Sequence, residues 1–189
     1  YGQLRKMDEW VIFCEENNIM LIEDCAQAHQ AKWQGKVAGN FGQAGAYSFY
    51  PTKNLGAVGD AGMLVTNNST LAEKARQLRN YGQSERYLHP VTGMNSRLDE
   101  IQAAMLSERM KWLPEFTKRR RQIADSYHSK IDNPLVKHLI KPEDRLSHVY
   151  HLFVITCPQR DRLQAHLLNK GVQALIHYPV TVQQQKPCL

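Results

Sequence analysis

The chain has 189 residues, with 24 Lys and Arg against 18 Asp and Glu for a formal net charge of +6, and it is 42% hydrophobic, 8% aromatic and 22% charged. That composition reads as a soluble globular protein and excludes collagen-like, low-complexity and disulfide-scaffold chains. No run approaches the ~20 apolar residues of a membrane-spanning helix. Tyr1-Gly2-Gln3-Leu4-Arg5 also lacks the charged-then-apolar order of a signal peptide, so the expected location is cytoplasmic. Cys14, Cys25, Cys157 and Cys188 lie far apart with no CxxC pair, which points away from a metal site and, in a reducing compartment, from disulfides.

In chain order, Met7, Trp10, Val11 and Cys14 recur at helical spacing over Met7 to Glu16, and Ile19-Met20-Leu21-Ile22 reads as a short buried strand. Glu23 and Asp24 then place two carboxylates at that strand's C-terminal edge, where open α/β sheets bind their ligands. The glycine-rich stretch from Gly35 to Gly45 suits loops and short edge strands. Ala46-Tyr47-Ser48-Phe49 predicts a strand, Tyr50 to Gly56 a turn, and Met63-Leu64-Val65-Thr66 a further strand. Thr70 and Glu73 have capping-box spacing, Leu71, Ala75 and Leu78 form an apolar stripe, and Gly82 supplies a stop, so a helix is predicted over 70–81. Leu98, Ile101 and Met105 begin another helix that Pro114 should end or kink, and a second helical stretch then runs to about Ile131. We place the domain hinge at that proline. An apolar run (Leu152 to Ile155), a helix (Arg160 to Lys170) closed by Gly171, and a second run (Val172 to Ile176) have the order of a small α+β domain. A helix ahead of any sheet nucleus, and no closing element after the last run, lead us to expect a piece of a longer protein.

The positive charge would admit an anionic partner, either nucleic acid or a phosphorylated small molecule. The densest basic run, Lys118-Arg119-Arg120-Arg121, falls inside a helical pattern without interleaved aromatics and reads as a solvated face rather than a nucleic-acid patch. Chemistry concentrates elsewhere. Ser48, Thr52 and the Asn54-Leu55-Gly56 turn surround Lys53 with the hydroxyls and backbone N–H groups that hold phosphate. A lysine in such a turn is either a solvated surface residue or, once partly desolvated, a Schiff-base former. Asp24 is either a cap for the loop after its strand or the carboxylate that keeps a pyridine nitrogen protonated through a charge-assisted hydrogen bond.

Three strings, Ile22-Glu23-Asp24-Cys25-Ala26-Gln27-Ala28-His29, Ser48-Phe49-Tyr50-Pro51-Thr52-Lys53-Asn54-Leu55-Gly56 and Gly93-Met94-Asn95-Ser96-Arg97-Leu98-Asp99-Glu100-Ile101-Gln102-Ala103-Ala104, resemble in sequence and order the DegT/DnrJ/EryC1/StrS family of sugar aminotransferases. His148-Val149-Tyr150-His151-Leu152-Phe153-Val154 and His177-Tyr178-Pro179 resemble the family's C-terminal domain. The resemblance implies an α/β chain of the aspartate-aminotransferase-like fold (fold type I). Residues 1–113 would be the C-terminal part of the large domain that binds pyridoxal 5′-phosphate (PLP). Residues 114–189 would be a linker helix and an incomplete small domain.

It also implies Lys53 as the residue joined to the cofactor and as general acid/base, Asp24 on the pyridinium nitrogen, Gln27 beside the 3-hydroxyl and Ser48 on the phosphate. Asn95 would reach across a homodimer interface to the neighbour's phosphate, unless it caps the helix at Leu98. His177, Tyr178 and Arg97 are the substrate candidates, with Arg86 a further cation for a diphosphate, and no metal is expected. Gln30 stands where the family commonly has glycine, and Gln43 where an aspartate often follows Phe-Gly. Thr181 and Gln183 depart from the pattern after His177-Tyr178-Pro179, where sugar-nucleotide contacts are expected.

The activity implied is ping-pong transfer of an amino group from glutamate or glutamine to a nucleotide-linked keto-sugar, in O-antigen, capsule or antibiotic assembly. Gly56 to Gly62 and Asn80-Tyr81-Gly82 resemble the branch acting on dTDP-3-keto-6-deoxyhexoses. The rival reading is a truncated, inactive paralogue serving as a binding or dimerisation module. Neither nucleic acid nor membrane is expected as a partner.

Overall fold

Of the apolar stripe of the first helical segment Met7 and Cys14 are buried and Trp10 is exposed, and α1 (Met7–Glu16) spans the predicted residues in the computed structural model, which describes residues 1–188. The next element departs from expectation. Ile19, Met20 and Ile22 are more than half exposed, and the strand β1 is Ile22–Asp24, shifted toward the carboxylates. What fixes it is its hydrogen-bonding partner rather than its apolar content. β1 pairs in parallel with β4 (Ala44–Ser48), Asp24 opposite Ala46, and β4 pairs antiparallel with β5 (Gly62–Val65), so the sheet order is β1-β4-β5 with β1 on an edge.

Between β1 and β4, β2 (Lys32–Trp33) and β3 (Lys36–Val37) form a hairpin whose turn residues Gln34 and Gly35 both have positive φ, 49° and 82°. Two left-handed residues in a two-residue loop are the twist-matching solution for a hairpin. The glycine-rich loop that follows wraps the buried Glu23. Its carboxylate accepts backbone N–H groups of Gly39 (2.7 Å), Phe41 (2.6 Å) and Gly42 (2.9 Å). Gly42 is needed there because a Cβ would lie 2.2 Å from the Leu21 carbonyl oxygen.

The helix α2 spans Ser69–Leu78. Its cap is Asn68, whose side-chain oxygen accepts the Leu71 N–H at 3.0 Å, so Thr70 lies inside the helix instead of capping it. Gly82, at φ 69°, closes the turn beyond. α3 (Glu100–Met110) and α4 (Leu113–Lys130) are separate helices, and Pro114 is the second residue of α4. Proline is at home there because first-turn N–H groups have no intrahelical acceptor. Leu106 and Leu113 from these helices pack with Phe49, Leu55 and Ala57 in one core, while Leu4, Met7, Cys25, Ala28, Ala31, Ala38 and Val149 make another.

The described residues divide into two compact units, one of Tyr1–Lys130 with Ile140–Phe153, the other of Ile131–Leu139 with the chain from Val154 onward. The division therefore falls after Lys130, not at Pro114, because Leu113, Thr117 and Ala124 bury α4 in the first unit. In the second unit β6 (Lys137–His138) pairs antiparallel with β7 (Ile155–Thr156), and α5 (Arg160–Asn169) ends before Gly171 at φ 75°. Val172 to Ile176 forms no strand. Its Ala174 carbonyl takes a hydrogen bond from Gln164 of α5 at 2.8 Å, so a side chain rather than a ladder holds it. No helix among the described residues is long and apolar enough to cross a membrane.

Candidate active site

Alternation along the strands divides the two carboxylates of β1 between the sheet's faces. Glu23 is buried and spent on the three amides of the glycine-rich loop. Asp24 is exposed on the other face, opposite Ala46, and Ser48 follows two residues on along β4, so both side chains share that face. Asp24 Oδ1 accepts the Ala26 N–H at 2.9 Å, and among the described residues no hydrogen bond is made to its other oxygen. The capping reading of Asp24 is thus satisfied by one oxygen, leaving the second for a ligand. Ser48 Oγ accepts the Tyr50 N–H at 3.3 Å, and Gln27 is half-buried in the loop just beyond β1.

Lys53 is half-buried in the turn that leaves β4, where its own N–H donates to the Tyr50 carbonyl at 2.8 Å. Its side chain has no carboxylate partner among the described residues.

Two histidines feel the same lysine. His29 is 3% exposed between the rings of Tyr47 (5.3 Å) and Phe49 (5.8 Å). Burial pushes its pKa down to about 4 and the Lys53 charge adds to that; the Ser48 backbone faces the ring without completing a well-formed hydrogen bond to either nitrogen. His151 Nδ1 lies 3.0 Å from Asn54 Oδ1, and burial, then Lys53 and Arg120, push its pKa down to about 4. Both rings are neutral at pH 7. Neither was singled out by spacing, although each lies inside a string that carries the family resemblance.

The remaining candidates make contacts of their own. Arg97 donates to Asn95 Oδ1 (3.2 Å) and Asn80 Oδ1 (3.4 Å), and its guanidinium lies 5.4 Å from the Tyr81 ring centroid. Asn95 and Asn80 are joined by an isolated antiparallel bridge. Asn95 therefore does not cap the following helix, whose cap position is Asp99. This exposed cluster shares no hydrogen bond with the Lys53 group among the described residues. Arg86 folds over Tyr87 at 5.0 Å. His177 and Tyr178 belong to the second unit, their rings 5.1 Å apart and Tyr178 72% exposed.

The basic run of α4 proves structural in its second half. Arg120 donates to the Tyr150 and His151 carbonyls (3.1 and 3.2 Å), and Arg121 to those of His148 and Leu146 (2.9 and 3.2 Å). These side chains tie the 146–151 segment to α4 instead of lying on a solvated face. Only residues some thirty positions away supply their acceptors, so no local pattern could have revealed it.

The parallel strands β1 and β4 end in a carboxylate and a hydroxyl on one face, with an amine in the turn beyond, at the strand ends where open α/β sheets bind ligands. The chain belongs to the DegT/DnrJ/EryC1/StrS aminotransferase family, whose model matches residues 1–188. It is 45% identical over 186 residues, 98% of this chain and 51% of the relative, to the dTDP-3-amino-3,6-dideoxy-alpha-D-galactopyranose transaminase of Aneurinibacillus thermoaerophilus. The structure of S. venezuelae DesV in complex with a ketimine intermediate superposes with a TM-score of 0.93 at 40% identity, covering 100% of this chain and 51% of that one. NtdA from Bacillus subtilis, solved with bound cofactor PMP, matches with a TM-score of 0.85 at 29% identity over 98% of this chain and 43% of its own. The fold is thus that of a partial type I PLP-dependent aminotransferase, and this chain spans about half the length of the relatives it matches.

The residues present fit PLP or its amino form. Asp24 offers an uncommitted carboxylate oxygen, Ser48 a hydroxyl on the same face, and Lys53 an amine without a counter-ion.

Proposed function

We propose that this chain carries the lysine-bearing part of a PLP-dependent aminotransferase that moves an amino group from glutamate or glutamine to a nucleotide-linked keto-sugar. The observation that supports this reading is Asp24 and Ser48 on one face at the ends of the paired strands β1 and β4, with Lys53 in the turn that leaves β4, in a chain of this aminotransferase family. The transaminase name of the Aneurinibacillus relative supports a dTDP-3-keto-6-deoxyhexose as acceptor.

When bound, the cofactor supplies an electron sink for the carbon that loses or gains a proton. Asp24 would hold the proton on its ring nitrogen through a charge-assisted hydrogen bond. Gln27 and Ser48 would hold its 3-hydroxyl and phosphate. Lys53 Nζ would be the group that moves the proton to and from the carbon being deaminated or aminated, in both halves of a ping-pong cycle. It is half-buried, and no carboxylate among the described residues pairs with it.

The active form is a homodimer in which Asn95 serves the phosphate of a second copy. Arg97, His177 and Tyr178 meet the nucleotide-sugar, and the enzyme works in the cytoplasm. The test is product formation from glutamate and a small panel of nucleotide keto-sugars. The protein should yield an amino-sugar, and Lys53→Ala should abolish it; an unaltered yield in Lys53→Ala refutes the assignment.

A further inference from the structure

Lys53 makes no side-chain hydrogen bond among the described residues, so the place of its amine is set by the backbone of the 50–56 turn. That turn has internal ties: Lys53 N–H to the Tyr50 carbonyl and Ala57 N–H to the Phe49 carbonyl, each at 2.8 Å. Its one side-chain tie to a distant segment is made by the next residue. Asn54 is 5% exposed, and its Nδ2 donates to the Val149 carbonyl at 3.2 Å. With the amide nitrogen committed there, the amide oxygen must face His151, and the 3.0 Å contact to Nδ1 is a hydrogen bond only if the ring carries its proton on Nδ1.

The far side of this latch is held in turn. Arg120 grips the Tyr150 and His151 carbonyls, and the His151 N–H donates to the Tyr1 carbonyl at 3.1 Å. The segment carrying His151 is therefore a fixed wall rather than a mobile loop end.

We propose that His151 is a positioning residue for Lys53: through Asn54 it locks the turn in the register that presents the lysine amine. This rests on the reading of Lys53 given above. The charged and titratable side chains acting on the His151 ring are Lys53, Arg120 and His29, with no carboxylate among them. Such surroundings keep the ring uncharged, so the Nδ1–H donor persists while Lys53 gains and loses its proton.

The experiment reads the lysine directly. The wild-type chain, His151→Phe and His151→Asn are exposed briefly to PLP, reduced with borohydride, and the label at Lys53 is quantified by peptide mass spectrometry against the exposed Lys74. Phe keeps a ring and removes the donor; Asn places an amide N–H where Nδ1–H was. Misplacement by about 1 Å is worth up to ~100-fold in such reactions, and the expected result is about a tenfold or greater loss of Lys53 labelling in His151→Phe. Lys74 should be unchanged, and His151→Asn should recover most of the loss.

Selective Lys53 labelling that His151→Phe leaves intact overturns the proposal alone. A wild-type chain in which Lys53 labels no faster than Lys74 overturns the catalytic reading, and the proposal with it. If His151→Phe does not fold, nitrogen-15 NMR of the wild-type histidines decides: an Nδ1–H tautomer at His151 sustains the latch, and an Nε2–H tautomer refutes it.

Discussion

Acidification should destabilise the first unit well above the pH at which carboxylates titrate. His29 and His148 are 3% and 4% exposed, and burial pushes both pKa values down to about 4. In the unfolded chain an ordinary histidine titrates near ~6.5. Between those values the unfolded state binds protons that the folded state refuses, so stability is complete above about pH 6.5 and falls as pH drops toward 4. Each such histidine costs up to about 1.4 kcal/mol per pH unit, so the pair gives a slope near 2.5 kcal/mol per unit around pH 5.5. His151, half-buried and also held near 4, acts in the same direction. Against a typical total of ~5–15 kcal/mol, one and a half units of acidification remove a large share. Urea melts at pH 7.0, 6.0, 5.5 and 5.0 measure the slope, and His29→Phe should lower it by about 1.3 kcal/mol per unit. A flat profile from 6.5 to 5, or an unchanged slope in His29→Phe, refutes the view that these rings are buried and neutral.

Asp24→Asn should lower turnover by about 10²–10³-fold, the usual effect of removing one preorganised electrostatic partner, while phosphate-dependent cofactor binding persists; equal turnover would contradict the role of Asp24 at the ring nitrogen. Gln30 holds φ 66°, so Gln30→Gly should relieve left-handed strain and stabilise by about 0.5–1 kcal/mol net of the added unfolded-state entropy; denaturant midpoints check it, and a loss of stability would contradict it. Leu113, 3% exposed beneath Phe49 and Leu55, should cost about 2–5 kcal/mol when cut to alanine, read from the same melts; a loss below about 1 kcal/mol would show that this core is not packed as described.

Much of the fold could be read locally because its signals are local. The stripe of α1 and the glycine after α5 placed those helices within a residue or so. α2 starts at Ser69 rather than Thr70 because the Asn68 side chain reaches the Leu71 N–H first. The first strand was misplaced because apolar content reports how buried a segment could become, whereas Ala44–Ser48 decides which backbone pairs. Asp24, Ser48 and Lys53 stood out in the sequence as candidates because they lie on one strand–loop–strand stretch whose residue types suit one chemistry, and the strand pairing puts Asp24 and Ser48 on one face. The Asn54–His151 bond joins residues 97 positions apart and the Arg121 bonds join residues 25 and 27 apart, so only the folded chain could reveal them.

The most direct test of the account is to map the attachment point of PLP in the protein: reconstitution, borohydride reduction, proteolysis and mass spectrometry. The account predicts a single phosphopyridoxyl mark on Lys53, lost in Lys53→Ala without transfer to another residue. A mark spread over surface lysines, or one fixed on a different lysine, contradicts it.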